Sequence, residues 1–348
     1  MHAPYAKERI WLRSCGVSGV IRGAWYAVMQ RKNLMTKPIK VTVHGQEYVL
    51  YRDEKGMVCA GDAYCPHRGC DLSLGTVEGS ELICPFHGWR FDRAGRCTRV
   101  PANRSIGDVP KNAARATCEA CEKAEWVWLY TAPKREGANA LMEPDLFPEL
   151  CSDNWTRTPF QATWHAHFVR VVESVLDVSH LPFVHPQTTG ADVNKEVDGP
   201  AFAVTRDRIL IHPKPFASVH PMEPAEAVET EDERTEIELR APNLWIIRTP
   251  MGDGNAMCTF LTFTPRDAQT TEIFGAVARN FDRDSPLLDE FHLSHTRFVM
   301  EQDQAIIESI RPVAPPFDLH REAHVRSDGP TIRYRAMMRT WLEEESLR

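Results

Sequence analysis

Two thiols and two imidazoles occur in two short, similar segments of this sequence. Cys65 and His67 form a Cys-x-His pair, and Cys84 and His87 follow, after sixteen intervening residues, as a Cys-x-x-His pair. Each segment therefore offers one cysteine and one histidine, so that each loop can give one ligand to each of two metal ions. Two thiolates on one iron and two imidazoles on the other are the ligands of a Rieske [2Fe–2S] cluster. The spacing predicts a one-electron carrier.

The ligand types also predict the redox chemistry of this cluster. Imidazole donates less electron density than thiolate and leaves the cluster less negative, so the reduction potential should lie at roughly −150 to +300 mV, against about −400 mV for an all-cysteine ferredoxin. A structural zinc site is the alternative, because Cys2His2 sets usually bind zinc. Zinc fingers, however, place two cysteines before a later pair of histidines. The mixed pairs, with Gly69 and Gly88 close by, favour iron–sulfur.

A second group of ligand-type residues lies further along the chain, at Asp177, His180 and His185. On one regular helix, side chains five positions apart point about 140° apart. The two histidines can therefore share a metal only if the helix ends between them, and Pro182 and Pro186 are expected to end it there. Asp177 lies one turn before His180, where a carboxylate can accept the far N–H of a metal-bound imidazole. The alternative is a pair of ordinary polar residues at a helix end.

An oxygen-reactive iron bound by two histidines commonly takes a carboxylate as its third protein ligand and keeps positions open for O2 and substrate. Asp303 is the best candidate for that carboxylate, and Glu301 and Glu308 are its competitors. Asp303 falls in a helix predicted over 287–310, near an apolar stripe that we expect to pack inward. The stripe consists of Phe291, Phe298, Ala305 and Ile306.

Length and composition favour a soluble globular protein of two domains. The chain has 348 residues, of which 26% are charged and 43% hydrophobic, and its net charge is −7. The negative charge argues against a nucleic-acid partner, and no apolar run approaches the ~20 residues of a membrane span. Residues 1–13 lack a signal-peptide pattern, so we expect a cytoplasmic protein with reduced cysteines. The acidic run 223–238 is expected to be solvated, with a contact to a basic reductase face as the alternative.

Short β-rich runs separated by turn residues dominate the first part of the chain. We predict a Rieske-type domain over residues 1–135, with an all-β core at about 20–130, and a catalytic domain over 136–348. A linker rich in proline is predicted at 131–148. Cys118 and Cys121 match a Cys-x-x-Cys pair, but no second pair follows, which favours a structural role. The predicted strands are 39–43, 47–51, 57–60, 81–84, 89–92 and 126–130 in the first domain, and 203–205, 208–212, 244–249, 258–264 and 273–279 in the second.

Over most of its length the chain resembles the terminal oxygenase component of Rieske non-haem iron oxygenases. The cluster motif matches in full, and Asp177-x-x-His180-x4-His185 matches the motif for the mononuclear iron. The run 303–308 resembles the family's C-terminal ligand helix, which favours Asp303 over Glu301. The resemblance implies an α+β fold, with an N-terminal all-β Rieske domain and a helix-grip (START-like) domain of antiparallel sheet and long C-terminal helix.

The resemblance also implies a monooxygenase that uses O2 and electrons from NAD(P)H, supplied through a reductase or ferredoxin. It would hydroxylate or oxidatively demethylate a small aromatic or heterocyclic substrate. It would form a head-to-tail homotrimer, with Asp177 as the bridge between the cluster of one subunit and the Fe(II) of its neighbour. A desaturase or oxidative cyclase on the same scaffold, or an electron carrier without catalysis, are the alternatives. The implied ligands are Cys65, His67, Cys84 and His87 for the cluster, and His180, His185 and Asp303 for the iron.

Within that family, residues 177–190 are most similar to the vanillate O-demethylase and toluenesulfonate methyl-monooxygenase group. Residues 278–281, Ala-Arg-Asn-Phe, also resemble the vanillate demethylases. One position departs from the pattern: the family commonly has Asn three residues before the bridging aspartate, and this chain has Ser174. Because serine lacks an amide, an iron-gating role of that asparagine does not transfer to this chain.

Overall fold

Antiparallel β-sheet dominates both halves of the chain in the computed structural model, which describes residues 21, 23–103, 109–133, 142–190, 195, 199–213, 234–316 and 318–346. Two units are distinct, Arg22–Asp145 and Leu146–Arg348. The acidic run up to residue 233 and the middle of the predicted linker, residues 134–141, lie outside the described residues. None of the helices in the described part of the chain is long and apolar enough to cross a membrane.

The first unit contains two antiparallel sheets. Its strands are β1 (Trp25–Gln30), β2 (Ile39–Val43), β3 (Gln46–Arg52), β4 (Val58–Asp62), β5 (Thr76–Glu78), β6 (Glu81–Ile83), β7 (Arg90–Phe91), β8 (Cys97–Arg99), β9 (Thr117–Lys123) and β10 (Trp126–Pro133). One sheet has the order β1-β10-β9-β4-β3-β2, and the other runs β5-β6-β7-β8. The buried core includes both motif cysteines, so the two motif loops start from fixed positions. Its members are Val49, Tyr51, Cys59, Cys65, Leu72, Leu82, Cys84 and Phe91.

Cys118 and Cys121 both lie on β9. Side chains three positions apart on a strand point to opposite faces of the sheet, so these two thiols do not share a metal or a disulfide. Burial raises the pKa of each thiol to about 12, which keeps it protonated and unreactive. This placement fits a structural role for the pair.

The second unit is one seven-stranded antiparallel sheet with helices packed against it. Its order is β11-β17-β16-β15-β14-β13-β12. The strands are β11 (Thr156–Trp164), β12 (Ala201–Val204), β13 (Arg208–His212), β14 (Glu236–Arg240), β15 (Leu244–Gly252), β16 (Asn255–Pro265) and β17 (Thr271–Arg279). The helices are α1 (Pro148–Cys151), α2 (Phe168–Leu176), α3 (Leu181–Val184), α4 (Pro286–Ile307) and α5 (Gly329–Ser346). Helices α2, α4 and α5 contact strands of the sheet, which confirms the predicted α+β fold with a long C-terminal helix, α4.

Every strand predicted from the sequence is present, with ends that agree within three residues. Strands 39–43 and 208–212 agree at both ends. They could be predicted because β-branched and aromatic residues form short runs bounded by turn residues.

Helix α4 exists as predicted, but it buries a different face. Its buried positions are His292, Thr296 and Met300, which repeat every four residues and are mostly polar. The apolar stripe expected to pack inward is instead exposed to solvent: Phe291, Phe298, Ala305 and Ile306. The prediction of the buried face was wrong because it assumed that the most apolar face of a helix must be the buried one.

The burial of His292 predicts that acid destabilises the second unit. Burial and the positive charges of Arg279 and His295, only partly offset by Asp289, lower the pKa of His292 from 6.5 to about 4. The unfolded chain therefore takes up the proton first, and the free energy of unfolding should fall by about 3 kcal/mol between pH 6.5 and pH 4. Urea unfolding at several pH values in this range should show a smaller fall in the free energy of unfolding for a His292→Gln variant than for the parent protein. Equal slopes in the two proteins would exclude His292 as the responsible group.

Candidate metal centres

The two motif loops of the first unit bring their cysteines and histidines together. Cys65 and Cys84 are buried, whereas His67 is half-buried and His87 is exposed. The Nδ1 atoms of the two histidines are 3.2 Å apart. Burial, together with the neighbouring Cys84, raises the pKa of Cys65 to about 12, so a thiolate here needs a metal ion to balance its charge. Buried sulfurs and outward-facing imidazoles match a cluster with two thiolates on one iron and two imidazoles on the other.

The backbone folds both loops in the same way. The N–H of Gly69 donates to the carbonyl of Cys65 at 2.9 Å, and the N–H of Gly88 donates to the carbonyl of Cys84 at 3.0 Å. Both glycines have a φ of 69°, a conformation that other residues rarely adopt. The glycine that follows each ligand pair is therefore required by the turn that contains the pair.

Aromatic rings hold the two imidazoles from the side. The ring of Trp89 stacks on that of His67, with centroids 4.5 Å apart and planes 7° apart. Phe86 lies against His87, with centroids 3.9 Å apart. These contacts restrict how the imidazoles rotate and so keep their nitrogens directed at one another.

In the second unit, the two histidines flank the short helix α3. The carboxylate of Asp177 follows α2 and accepts hydrogen bonds from the backbone N–H and the hydroxyl of Ser179, at 2.7 and 2.5 Å. This turn ends α2 before either histidine. His180 then precedes α3 and His185 follows it, with Pro182 in the first turn, where its missing N–H is not needed. The predicted helix end thus lies before His180 and not between the two histidines.

Three ligand-type atoms converge between α3 and α4. Asp303 Oδ1 lies 3.0 Å from His185 Nε2 and 3.4 Å from His180 Nε2, and one atom from each residue lies within 4.8 Å of the others. The Nε2 of His185 is fully buried and has no hydrogen-bond partner among the described residues. Because a buried nitrogen without a partner is costly, a cation at this point would satisfy it. Two imidazoles and a carboxylate are a donor set that suits Fe(II) with open positions.

The two competing carboxylates lie elsewhere. Glu301 is exposed. Glu308 accepts hydrogen bonds from the backbone N–H of His165 at 2.8 Å and from the amide of Gln304 at 2.6 Å. Among the residues that the structure describes, the three that can share a metal ion at this position are His180, His185 and Asp303, which we call the Asp303 set.

Each histidine of this set also faces a group at its other ring nitrogen. His180 Nδ1 is 3.6 Å from Asp177 Oδ2, and His185 Nδ1 is 2.9 Å from Gln302 Oε1. Burial would lower the pKa of His180, but the neighbouring carboxylates of Asp177 and Asp303 raise it to about 9. Burial would raise the pKa of Asp177, but the nearby imidazole of His180 and the hydrogen bonds from Ser179 lower it below its usual range. Gln302 was not predicted from the sequence, where its sole signal is its position beside Asp303.

A cavity of about 260 Å³ is lined by Asp177 and by five further charged side chains: Arg170, Glu173, Glu322, Asp328 and Arg335. Arg335 makes a two-point contact with Glu173 and donates to Glu322 at 2.5 Å. Arg170 also donates to Glu322 at 2.5 Å. This ion-pair network joins α2 and α5 next to the residue that is predicted to act as the bridge.

Ser174, at the position where the resembled family commonly has asparagine, also lines this cavity. Its hydroxyl donates to the carbonyl of Val171, one turn back in α2, at 2.8 Å. The side chain is thereby turned toward its own helix, as a short hydroxyl in a helix often is.

Family comparisons match both halves of the chain. Residues 164–344 match the vanillate O-demethylase oxygenase C-terminal domain, and residues 24–111 match the Rieske [2Fe–2S] domain. The first match covers about half of the chain and includes the whole Asp303 set.

Three known proteins illustrate the similarity. The chain is 33% identical over 198 residues to a 4beta-methylsterol monooxygenase of Methylococcus capsulatus, covering 53% of this chain and 51% of that protein. It is 34% identical over 177 residues to a cholesterol 7-desaturase of Bombyx mori, covering 49% and 37%. It is 28% identical over 314 residues to the methylxanthine N1-demethylase NdmA of Pseudomonas putida, covering 88% and 80%. The chain thus spans about half the length, or less, of the two sterol enzymes.

The solved structure of NdmA from Pseudomonas putida CBB5 has the same fold. Its TM-score is 0.77 at 24% sequence identity, over 93% of this chain and 92% of NdmA. This likeness supports a Rieske domain followed by an antiparallel catalytic domain in this chain.

Proposed function

We propose that this chain, which belongs to the family of the vanillate O-demethylase oxygenase C-terminal domain, is the oxygenase component of a Rieske-type monooxygenase. It would use O2 and electrons from a reductase or ferredoxin to hydroxylate or oxidatively demethylate a small aromatic or heterocyclic substrate. The observation that carries this proposal is the convergence of His180, His185 and Asp303 at one point, beside the buried, unpartnered Nε2 of His185. An electron carrier has no need of such a set.

The residues divide the chemistry between the two units. When bound, the mononuclear Fe(II) would supply O2 activation and the cluster would supply single electrons. His180, His185 and Asp303 would hold the iron through nitrogen and oxygen atoms that approach from α3 and α4. Asp177 would accept the N–H at Nδ1 of His180 and so hold its Nε2 free of a proton. The cluster ligands would be Cys65, His67, Cys84 and His87.

The oligomer proposed for this chain is a head-to-tail homotrimer. A heterologous contact that closes on itself gives a ring, and the exposed His87 is placed where a second subunit can reach it. We propose that Asp177 accepts a hydrogen bond from that histidine of a neighbouring subunit as well as from His180. The domain boundary near residue 135 and the cytoplasmic location remain predictions of the sequence.

The relatives suggest the class of substrate. NdmA, named as a methylxanthine N1-demethylase, aligns with 88% of this chain, which favours an N-methyl heterocycle or a methyl- or methoxy-aromatic acid. A screen of such compounds with a surrogate reductase should give formaldehyde for demethylation or a retained hydroxyl for hydroxylation. The 34% identity to a cholesterol 7-desaturase favours desaturation as the second candidate, and a product with a new double bond would establish it.

Counting iron tests the proposed function directly. The purified chain should contain close to three irons, two in the cluster and one at the Asp303 set. An Asp303→Ala variant should retain about two irons and the rhombic EPR signal of the reduced cluster, and should lose turnover. Glu301→Ala is the matched control, since Glu301 is exposed on the same helix, and it should retain all three irons.

Two results would contradict this proposal. Two irons in the parent protein, unchanged by the Asp303→Ala substitution, would indicate an electron carrier. Zinc in place of iron, with no EPR signal after reduction, would indicate a structural site.

A further inference from the structure

We propose that Gln302 is a positioning residue that sets the tautomer of His185 and so decides which ring nitrogen can bind the metal. This inference rests on the proposed function, because it concerns a ligand of the same site. Gln302 Oε1 lies 2.9 Å from His185 Nδ1. His185 is 0% exposed, so water does not compete for that nitrogen.

The neutral imidazole has a single N–H, and its position determines which nitrogen has a free lone pair. An amide oxygen can only accept a hydrogen bond, so Gln302 Oε1 requires the proton of His185 to be on Nδ1. The lone pair of Nε2 is then free on the side of Asp303. The reversed amide would place an N–H₂ donor against Nδ1, move the proton to Nε2 and block the metal-binding position.

The contact between His185 and Asp303 supports the same tautomer. Nε2 and Asp303 Oδ1 are 3.0 Å apart, close enough for a hydrogen bond, yet Nε2 makes none with any residue that the structure describes. The carboxylate oxygen therefore lies off the direction in which an N–H at Nε2 would point. Asp303 is placed as a second ligand of a common cation and not as an acceptor for His185.

The two histidines of the site are supported by groups of different charge. His180 faces the carboxylate of Asp177 at 3.6 Å, whereas His185 faces a neutral amide. A neutral acceptor fixes the ring without placing another negative charge beside Asp303. Gln302 and Asp303 are consecutive residues of α4, so one helix positions both a ligand and the group that orients its neighbour.

The tautomer can be measured on the full-length protein after chelation of the mononuclear site, with no turnover required. Histidine labelled with ¹⁵N gives two-bond ¹H–¹⁵N correlations that distinguish Nδ1–H from Nε2–H, and a His185→Gln variant assigns the signal. We expect His185 as the Nδ1–H tautomer in the parent and in Gln302→Glu, whose carboxylate also accepts. Gln302→Leu should lose this preference and bind Co(II) or Fe(II) about 10- to 100-fold more weakly.

Gln304→Leu is the control, because Gln304 lies on the same helix but its amide hydrogen-bonds to Glu308 and to the carbonyl of Thr163 on β11, not to His185. It should leave the tautomer and the metal affinity unchanged. An Nε2–H tautomer in the parent, or an unchanged tautomer in a folded Gln302→Leu variant, would overturn the assignment. If the parent has the Nδ1–H tautomer but binds neither metal, the proposed function fails while the hydrogen bond to Gln302 stands.

Discussion

Replacing Asp177 with asparagine is expected to leave both metal centres assembled and to lower turnover by about 100-fold or more. In the native site, one carboxylate oxygen of Asp177 accepts both bonds from Ser179, and the other faces His180 Nδ1 at 3.6 Å. Asparagine can still accept both hydrogen bonds from Ser179 through its side-chain carbonyl oxygen. Its amide nitrogen cannot accept the imidazole N–H, and the negative charge between the two proposed redox centres is lost.

The measurement separates assembly from turnover. Iron content and the EPR signal of the reduced cluster should match those of the parent protein, while product formation with a surrogate reductase falls. Ser179→Ala is the matched control, because it removes one hydroxyl donor to the Asp177 side chain and keeps the carboxylate; its turnover should stay within about threefold. Turnover of the asparagine variant at the parent rate would reject the bridge role. Loss of the mononuclear iron would show that Asp177 acts on metal binding instead.

What could be predicted of the site was encoded within short segments. Cys65 and His67, and likewise Cys84 and His87, are separated by at most two residues, so their spacing alone indicates a shared loop and a common ligand set. His180 and His185, on either side of α3, are likewise only five positions apart in the sequence. Even there, the position of the helix end was missed, because the side-chain turn between Asp177 and Ser179 ends α2 earlier than proline would.

What could not be predicted depends on contacts between distant residues. Gln302 lies 117 positions from His185, and nothing in its own neighbourhood distinguishes it from the other polar residues of α4. The buried face of α4 was misassigned for a related reason. Hydrophobic periodicity identifies a helix, but the elements that α4 packs against, β11, β17 and α2, are brought to it by the tertiary fold.

The second large effect is expected from Glu173→Ala, which should lower the free energy of unfolding of the second unit by about 3–5 kcal/mol. Glu173 and Arg335 are 162 positions apart in the chain, yet both are buried and bonded at two points. Burial would lower the pKa of Arg335, but hydrogen bonds to Glu173 and Glu322 raise it. Removing Glu173 therefore leaves the buried guanidinium of Arg335 with Glu322 as its remaining carboxylate partner, and it enlarges the adjoining cavity.

Thermal unfolding should register this loss as a fall of about 10 °C in the midpoint of the second unit. Arg266→Ala is the control: it removes an exposed ion pair to Glu272 in the same unit, and exposed pairs contribute less than about 1 kcal/mol. A double substitution of Glu173 and Arg335 by leucine and methionine should recover much of the stability, since apolar side chains of similar volume often replace a buried ion pair without loss. If Glu173→Ala unfolds within 1 kcal/mol of the parent protein, the network does not stabilise the junction of α2 and α5.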